Sequence, residues 1–445
     1  MSSPLPTLSP HMLLVFLLQV SLLLLVALAL GRLAVRFGLP ALVGELLTGV
    51  LLGPSLLGAL TPGLMSWVLP SDVDQLHLLD AVGQLGVLLL VGVTGAQLDT
   101  AMLRRRGATG ARISLAGLLL PLGLGIAAGF VVPAALLTDS SERGVFALFL
   151  GVAMCVTAIP VIAKTLADMG LLHRDIGQLT LTAGMVDDAV GWFLLSVVSA
   201  AATTGVRAGA VSLSLLYLVA FLIAAWFAGR PLVRWVLRAA GRAPDGGPRV
   251  TIAVIVVLLG AAATHSMGME ALFGAFVAGI LIGQARATEP ADPRPGRSIW
   301  QDLAPLRTVT LSVLAPLFLA SAGLRMDLTA LADPKVLLAA IALLLVAVVG
   351  KFAGAYVGAR SSRLSHWEGI ALGAGMNARG VVEVVVASVG LRLGVLSTAM
   401  YTVIVLIAVA TSVMGPPILR RAMSRVEQTE VEAERELALA AGSPR

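Results

Sequence analysis

The sequence predicts an all-α polytopic membrane protein with about thirteen transmembrane helices, in which two inverted five-helix repeats cross at broken helices. Three observations predict it. Of 445 residues, 58% are hydrophobic and 13% charged, with a mean hydropathy of +0.95, far from the balance of a soluble domain. Apolar runs of the length that crosses a bilayer, about 20 residues, follow one another nearly end to end. Finally, two short patterns recur in the same order in each half of the chain.

The runs, read against Pro, Gly, Asp and Arg punctuation, begin near residues 11, 40, 74, 110, 142, 174, 210, 249, 269, 299, 334, 366 and 395. The first, from His11 to about Leu30, has no basic stretch before it and no small-residue cleavage signal, so it reads as a mature helix. Lys and Arg divide unevenly between the connections. Those after odd-numbered segments hold 18: Arg32, Arg36, Arg104, Arg105, Arg106, Arg112, Lys164, Arg174, Arg230, Arg234, Arg238, Arg242, Arg249, Arg286, Arg294, Arg297, Arg360 and Arg363. Those after even-numbered segments hold only Arg143, Arg207, Arg325, Lys335 and Arg392. The positive-inside rule therefore places the N-terminus outside and the Arg-bearing C-terminus in the cytoplasm, as an odd helix count requires. This distribution accounts for the net charge of +6 without nucleic acid. Residues 1–423 read as one transmembrane domain, and 424–445 as a short charged cytoplasmic tail, a solvated helix or disordered. The single cysteine, Cys155, lies in an apolar run and reads as packing.

The recurring patterns define the repeats. LVGELLTGVLLG (42–53) and LFGAFVAGILIG (272–283) share Leu, Gly, Gly, Leu and Gly at matching places, and open the second and ninth segments. GAQLD (95–99) and GLRMD (323–327) then close the third and tenth. The repeats run from about 40 to 203 and from about 269 to 423. Seven segments separate equivalent elements, an odd number, so the units cross the membrane in opposite senses. That is an architecture of secondary transporters, with the substrate site near the midplane.

Equivalent segments should break. The fifth carries Pro160 deep in GVAMCVTAIPVIAKTLADMG, where it removes a donor and clashes with the preceding turn. The twelfth carries Gly373, Gly375 and Gly380 around Met376, Asn377, Ala378 and Arg379. Crossed breaks would bring half-helix ends together, and Thr157 is placed to offer a hydroxyl or carbonyl oxygen there. A simple proline kink is the alternative for the fifth segment.

GMVDDAVGW (184–192) sets Asp187 and Asp188 inside an apolar run. Each carboxylate at the centre of a span costs about 2.5 to 3.5 kcal/mol if unpaired. The solitary cation at comparable depth is Lys351, in AVVGKFAGAYVG. Neighbours on a helix point about 100° apart, so the two acids need different partners: one pairs with Lys351 and the other faces the crossing. A carboxylate held there out of water must be neutralised, by a proton or by a hard cation, and that competition is a mechanism for exchange. A buried pair that fixes helix packing is the structural alternative. Arg379 and Glu383, four residues apart, read as a local ion pair. Glu45 and Glu270 read as interfacial or packing charges, and His77, His173, His265 and His366 as helix-end histidines. GAGMNARG lacks the preceding strand of a phosphate loop, and no metal-ligand cluster or nucleophile-base set is present.

GELLTGVLLGPSLLG, VTAIPVIAKTLADMGLL, AGMVDDAVGWFLL and MNARGVVEVVVASVG, in this order, resemble the monovalent cation:proton antiporter-2 family over about residues 11–423. That family includes bacterial sodium/proton antiporters, the membrane part of Kef-type potassium systems and plant cation/proton exchangers. The resemblance implies a sodium/proton antiporter-like fold in a bacterial cytoplasmic membrane, a homodimer with a moving core domain, and no cofactor. It makes Asp188 the cation- and proton-binding acid and Asp187 the preceding acid paired with Lys351. From their places at the breaks, Thr157 is expected beside the two acids, with Arg379, Glu383, Pro160 and Asn377 in support. Asp at position 187, rather than Asn, resembles the electrogenic exchangers, whereas TAIPVIAKTL and NARGVVEV are closer to the plant type. The expected cargo is Na⁺, with K⁺ or Li⁺ as alternatives. No nucleotide-binding domain follows the thirteenth segment, which disfavours a gated Kef-type system. A membrane sensor or enzyme using the midplane pocket for an organic ligand, and a passive cation channel, are the competing classes.

Overall fold

The structure is a computed structural model that describes residues 8–63, 73–98, 107–138, 142–204, 208–241, 247–287 and 299–441. Helices account for every expected segment. In chain order they are α1 (Pro10–Arg36), α2 (Ala41–Leu52), α3 (Val73–Ala96), α4 (Gly107–Val131), α5 (Arg143–Cys155), α6 (Ile159–Asp168), α7 (Asp175–Thr204), α8 (Ala208–Ala224) and α9 (Arg230–Ala240). There follow α10 (Gly247–Ser266), α11 (Ala271–Ala287), α12 (Ala304–Leu324), α13 (Pro334–Ser361), α14 (His366–Met376), α15 (Val381–Arg392), α16 (Thr398–Met423) and α17 (Glu430–Ala441). Among the described residues ten helical spans are long and apolar enough to cross a membrane, and α14 with α15 makes an eleventh, bent by 47°. The remaining two expected segments are the shorter apolar helices α5, followed by α6, and α11.

Local chemistry explains the starts. The Ser9 hydroxyl accepts the Met12 amide with Pro10 in the first turn of α1, and Asp333 accepts the Lys335 amide before α13. Ser365 and Glu368 form a capping box at α14, and Ser397 caps α16. The fifth segment breaks ahead of its proline rather than at it. Helix α5 ends at Cys155, residues 156–158 are non-helical, and Pro160 is the second residue of α6, where its missing N–H costs nothing.

Several basic residues expected in connections lie on helices instead. Lys164 is in α6, Arg230, Arg234 and Arg238 are in α9, and Arg249 is in α10. Arg and Lys are good helix formers with stems that lie along apolar surface, so a helix does not stop where its apolar run stops. Asp99, Arg104, Arg105, Arg106, Arg207, Arg242, Arg294 and Arg297 lie outside the described residues.

Two compact units divide the chain: Met1–Leu90 with Pro305–Ala330, and Val91–Ala304 with Leu331–Arg445. In the first, Leu23, Leu79, Leu317 and Ala320 form a buried cluster, and Arg325 pairs with Asp80. Here the repeat glycines have a visible use. A side chain at Gly44 would collide with the Leu30 carbonyl of α1, and one at Gly49 with the Ala320 carbonyl of α12. In the second unit the equivalent Gly274 lies against the Gly260 carbonyl of α10, and Gly279 against the Gly92 carbonyl at the end of α3. The correspondence therefore extends one helix upstream of the expected repeats, pairing α1 with α10.

The tail differs from a freely solvated segment. Glu432 of α17 is buried; it accepts the Asp175 amide at 2.6 Å, which caps the start of α7, and pairs with Arg174 at 3.2 Å. Arg174 also donates to the carbonyls of Val426 and Glu427. Burial opposes the charge on Glu432, but the amides of Thr429 and Asp175 and the Arg174 guanidinium outweigh it and hold the carboxyl below its usual range. His173 approaches Glu436 at 3.6 Å beside these contacts.

Candidate functional site

Helix α7 carries Asp187 and Asp188, both fully buried, and neighbouring elements treat them unequally. Asp187 is saturated. Its Oδ1 accepts from the Ser114 hydroxyl of α4 at 2.6 Å, and its Oδ2 from the Thr157 hydroxyl at 2.8 Å and from Lys351 Nζ of α13 at 2.6 Å. These donors come from three separate elements, and Thr157 reaches the acid because the chain between α5 and α6 is extended there. Asp188 has no hydrogen-bond partner for either oxygen among the described residues. Asp187 and Lys351 are the charges acting on it, and the Ile159 N–H at the start of α6 approaches without closing a hydrogen bond.

The broken helices meet through cations. An α-helix leaves its last carbonyls without intrahelical donors, and inside a membrane water is not there to serve them. Lys351 Nζ donates to the Cys155 carbonyl at 2.7 Å. Arg379, in the break between α14 and α15, donates to the carbonyls of Met154 at 2.6 Å and Ala153 at 3.2 Å. Two fully buried side chains thus cover the C-terminal end of α5, where the helix dipole places partial negative charge. Arg379 also pairs with Glu383 at 3.1 Å and reaches the Ala347 carbonyl of α13 at 3.3 Å, while its own carbonyl accepts from the Ser412 hydroxyl of α16. The expected local pair is present, and the arginine does more than make it.

Of the residues singled out from the sequence, Asp187, Thr157 and Lys351 come together directly, and Arg379 and Glu383 stand at the same half-helix end. Asn377 is the C-cap residue of α14, fully buried, and its amide group has no partner among the described residues. Pro160 contributes the start of α6. Glu270 pairs with Arg392 at 2.8 Å, consistent with a packing charge. Sequence reasoning missed Ser114 and the α5 carbonyls. A serine in an apolar run carries little signal, and a carbonyl carries none.

The arrangement contains one acid locked by three groups and one acid left for a visitor. The chain matches the family described as sodium/hydrogen exchanger, transmembrane, over residues 21–424. It is 32% identical over 392 residues to the Na(+)/H(+) antiporter NhaS4 of Synechocystis sp. (strain ATCC 27184 / PCC 6803 / Kazusa), covering 87% of this chain and 92% of that protein. It is 30% identical over 384 residues to Cation/H(+) antiporter 19 of Arabidopsis thaliana, covering 85% of this chain and 46% of that one. The solved structure of the sodium proton antiporter MjNhaP1 from Methanocaldococcus jannaschii at pH 8 superposes with a TM-score of 0.66 at 14% identity, over 96% of this chain and 99% of that one; at that identity the likeness concerns the fold. By the extent of the family match, the chain belongs to the transmembrane sodium/hydrogen exchangers, a family of transporters and not of enzymes.

Proposed function

We propose that the chain exchanges a monovalent cation, Na⁺ in the first instance with K⁺ or Li⁺ as alternatives, for protons across a bacterial cytoplasmic membrane, and that Asp188 is the carrier. One observation carries this reading: of two adjacent buried acids, Asp187 is saturated by Ser114, Thr157 and Lys351, while Asp188 has no hydrogen-bond partner among the described residues. An ionised carboxylate in such surroundings must be compensated. A proton or a cation can do it and they compete for one place, so occupancy by one means release of the other. Alternation between the two sides of the membrane then couples their flows.

Asp187 and Lys351 set the charge carried. A cation that recruits an Asp187 oxygen competes with the ammonium 2.6 Å away. Loss of the Lys351 proton at that moment returns a second proton per cation and makes the exchange electrogenic. The N-terminus lies outside and the tail in the cytoplasm, and the working unit is a homodimer, as the charge distribution and the family resemblance imply.

The test is reconstitution in proteoliposomes containing a pH-sensitive dye. Added Na⁺ should collapse an imposed pH gradient in the parent protein and not in Asp188→Asn; an unchanged response in that variant overturns the assignment. Repeating the assay with K⁺ and Li⁺ ranks the cargo. An imposed membrane potential should change the rate, and indifference to it overturns the electrogenic part alone.

A further inference from the structure

Asp188 is one end of a longer polar line on α7. Trp192, Ser196 and Ser199 follow it at steps of four, four and three residues, which keeps all four within about 80° of the helix circumference. Asp188 is 0% exposed, Trp192 2%, Ser196 1% and Ser199 4%. Yet neither the indole Nε1 nor either hydroxyl has a hydrogen-bond partner among the described residues.

The contrast within the same helix is informative. Thr180 donates to the Ile176 carbonyl at 2.7 Å, Thr182 to that of Gln178 at 2.7 Å and Thr203 to those of Ser199 and Ala200, the usual back-bond of a helical hydroxyl. Ser196 and Ser199 make no such bond. Each unsatisfied buried polar group costs about 1–3 kcal/mol, so four on one stripe point to partners outside the described residues. The chemistry of the set defines them. Hydroxyl oxygens coordinate a hard cation or accept from water, and the indole donates to the oxygen of a water that a cation brings with it. Trp192 is held by its ring against Phe276 of α11, with centroids 6.2 Å apart, which leaves its N–H as the free functional group.

We propose that Trp192, Ser196 and Ser199 line a narrow hydrated passage that carries a partly hydrated monovalent cation, and protons, between Asp188 and the C-terminal end of α7. From Asp188 to Ser199 the helix rises about 16 Å, roughly half the hydrocarbon thickness of a bilayer. The line thus connects a midplane site with one membrane surface. It rests on the exchange reading above and names the route on one side of that site.

The experiment is thiol accessibility in the full-length protein. Ser196→Cys, Ser199→Cys and, as a control 180° from Asp188 around the helix, Val197→Cys are each made with Cys155→Ala, since the Cys155 side chain takes no part in the site. Each is treated in proteoliposomes with a permanently charged methanethiosulfonate reagent and its labelling rate is measured. The Ser196 and Ser199 variants should label at least tenfold faster than the Val197 variant, and saturating Na⁺ should slow them. Labelling at or below the Val197 rate in both overturns the passage. Folding is checked by size-exclusion profile, and either serine variant alone suffices for the comparison. Unreactive thiols together with exchange that still requires Asp188 refute the passage only. Reactive thiols together with exchange that survives Asp188→Asn refute the carrier assignment and leave the passage standing.

Discussion

Replacing Lys351 by Met removes the ammonium and keeps a similar apolar stem. Asp187 then keeps the Ser114 and Thr157 hydroxyls but loses the charge 2.6 Å away, and the Cys155 carbonyl loses its donor. At an effective dielectric of about 20, charges at that separation attract by about 6 kcal/mol. Removing one partner of a buried pair costs about 3–5 kcal/mol, because the other is left uncompensated. Lys351→Met and Asp187→Asn should therefore each lower the unfolding free energy by about 3–5 kcal/mol. The double variant strands no charge and should lose less than about 2 kcal/mol. The assay is reversible denaturant unfolding of the purified protein in mixed micelles, arranged as a double-mutant cycle. A double variant that costs the sum of the singles, or a Lys351→Met that costs under about 1 kcal/mol, refutes the reasoning.

Asp188→Asn breaks no hydrogen bond made by the described residues and removes a buried acid, so its unfolding free energy should equal or exceed that of the parent; a drop of several kcal/mol would reveal a structural role. Glu432→Gln should speed amide exchange in α17 and in the first turn of α7, as read by mass spectrometry. Because the folded carboxyl is held below its usual range, its contribution is complete above the ordinary glutamate value and is lost as pH falls through the lowered one, so acidification should reproduce the Glu432→Gln pattern; protection unchanged in acid counts against the docking. Gly49→Ala drives a methyl into the Ala320 backbone, whereas Gly123→Ala meets nothing within 4 Å. The first should lose about 3 kcal/mol or more and the second should be neutral or stabilised, a difference that thermal unfolding reads directly.

The helices were legible because the solvent is lipid. Each run must satisfy its own backbone, so length and hydropathy locate it, and the observed starts fall within a few residues of those expected. From the residues alone the unequal fate of Asp187 and Asp188 was legible only as a necessity of the 100° step, and it was the family resemblance that matched Asp187 to Lys351; the hydroxyls of Ser114 and Thr157 that complete the difference carry no distance information in the sequence. The covering of α5 by Lys351 and Arg379 was not legible, because its acceptors are backbone carbonyls. The same reason hides the kinship of α1 and α10. What Gly44 and Gly274 meet there is the carbonyl of Leu30 or of Gly260, and any residue supplies a carbonyl, so no shared side-chain pattern is needed.

The reciprocal glycine seats of the repeats have a consequence for biogenesis. Helix α2 rests on α12, and the Ser55 hydroxyl that follows α2 donates to the Met326 carbonyl across a sequence separation of 271 residues. At the usual pace of synthesis, about 5–20 residues per second, α2 waits roughly 15–55 s after emergence before the surface that fits Gly49 has been made. During that interval its glycine face has lipid or the insertion machinery as its neighbour. Nascent chains arrested before α12 should therefore remain open to crosslinking at Gly49, and should close only when the second repeat arrives.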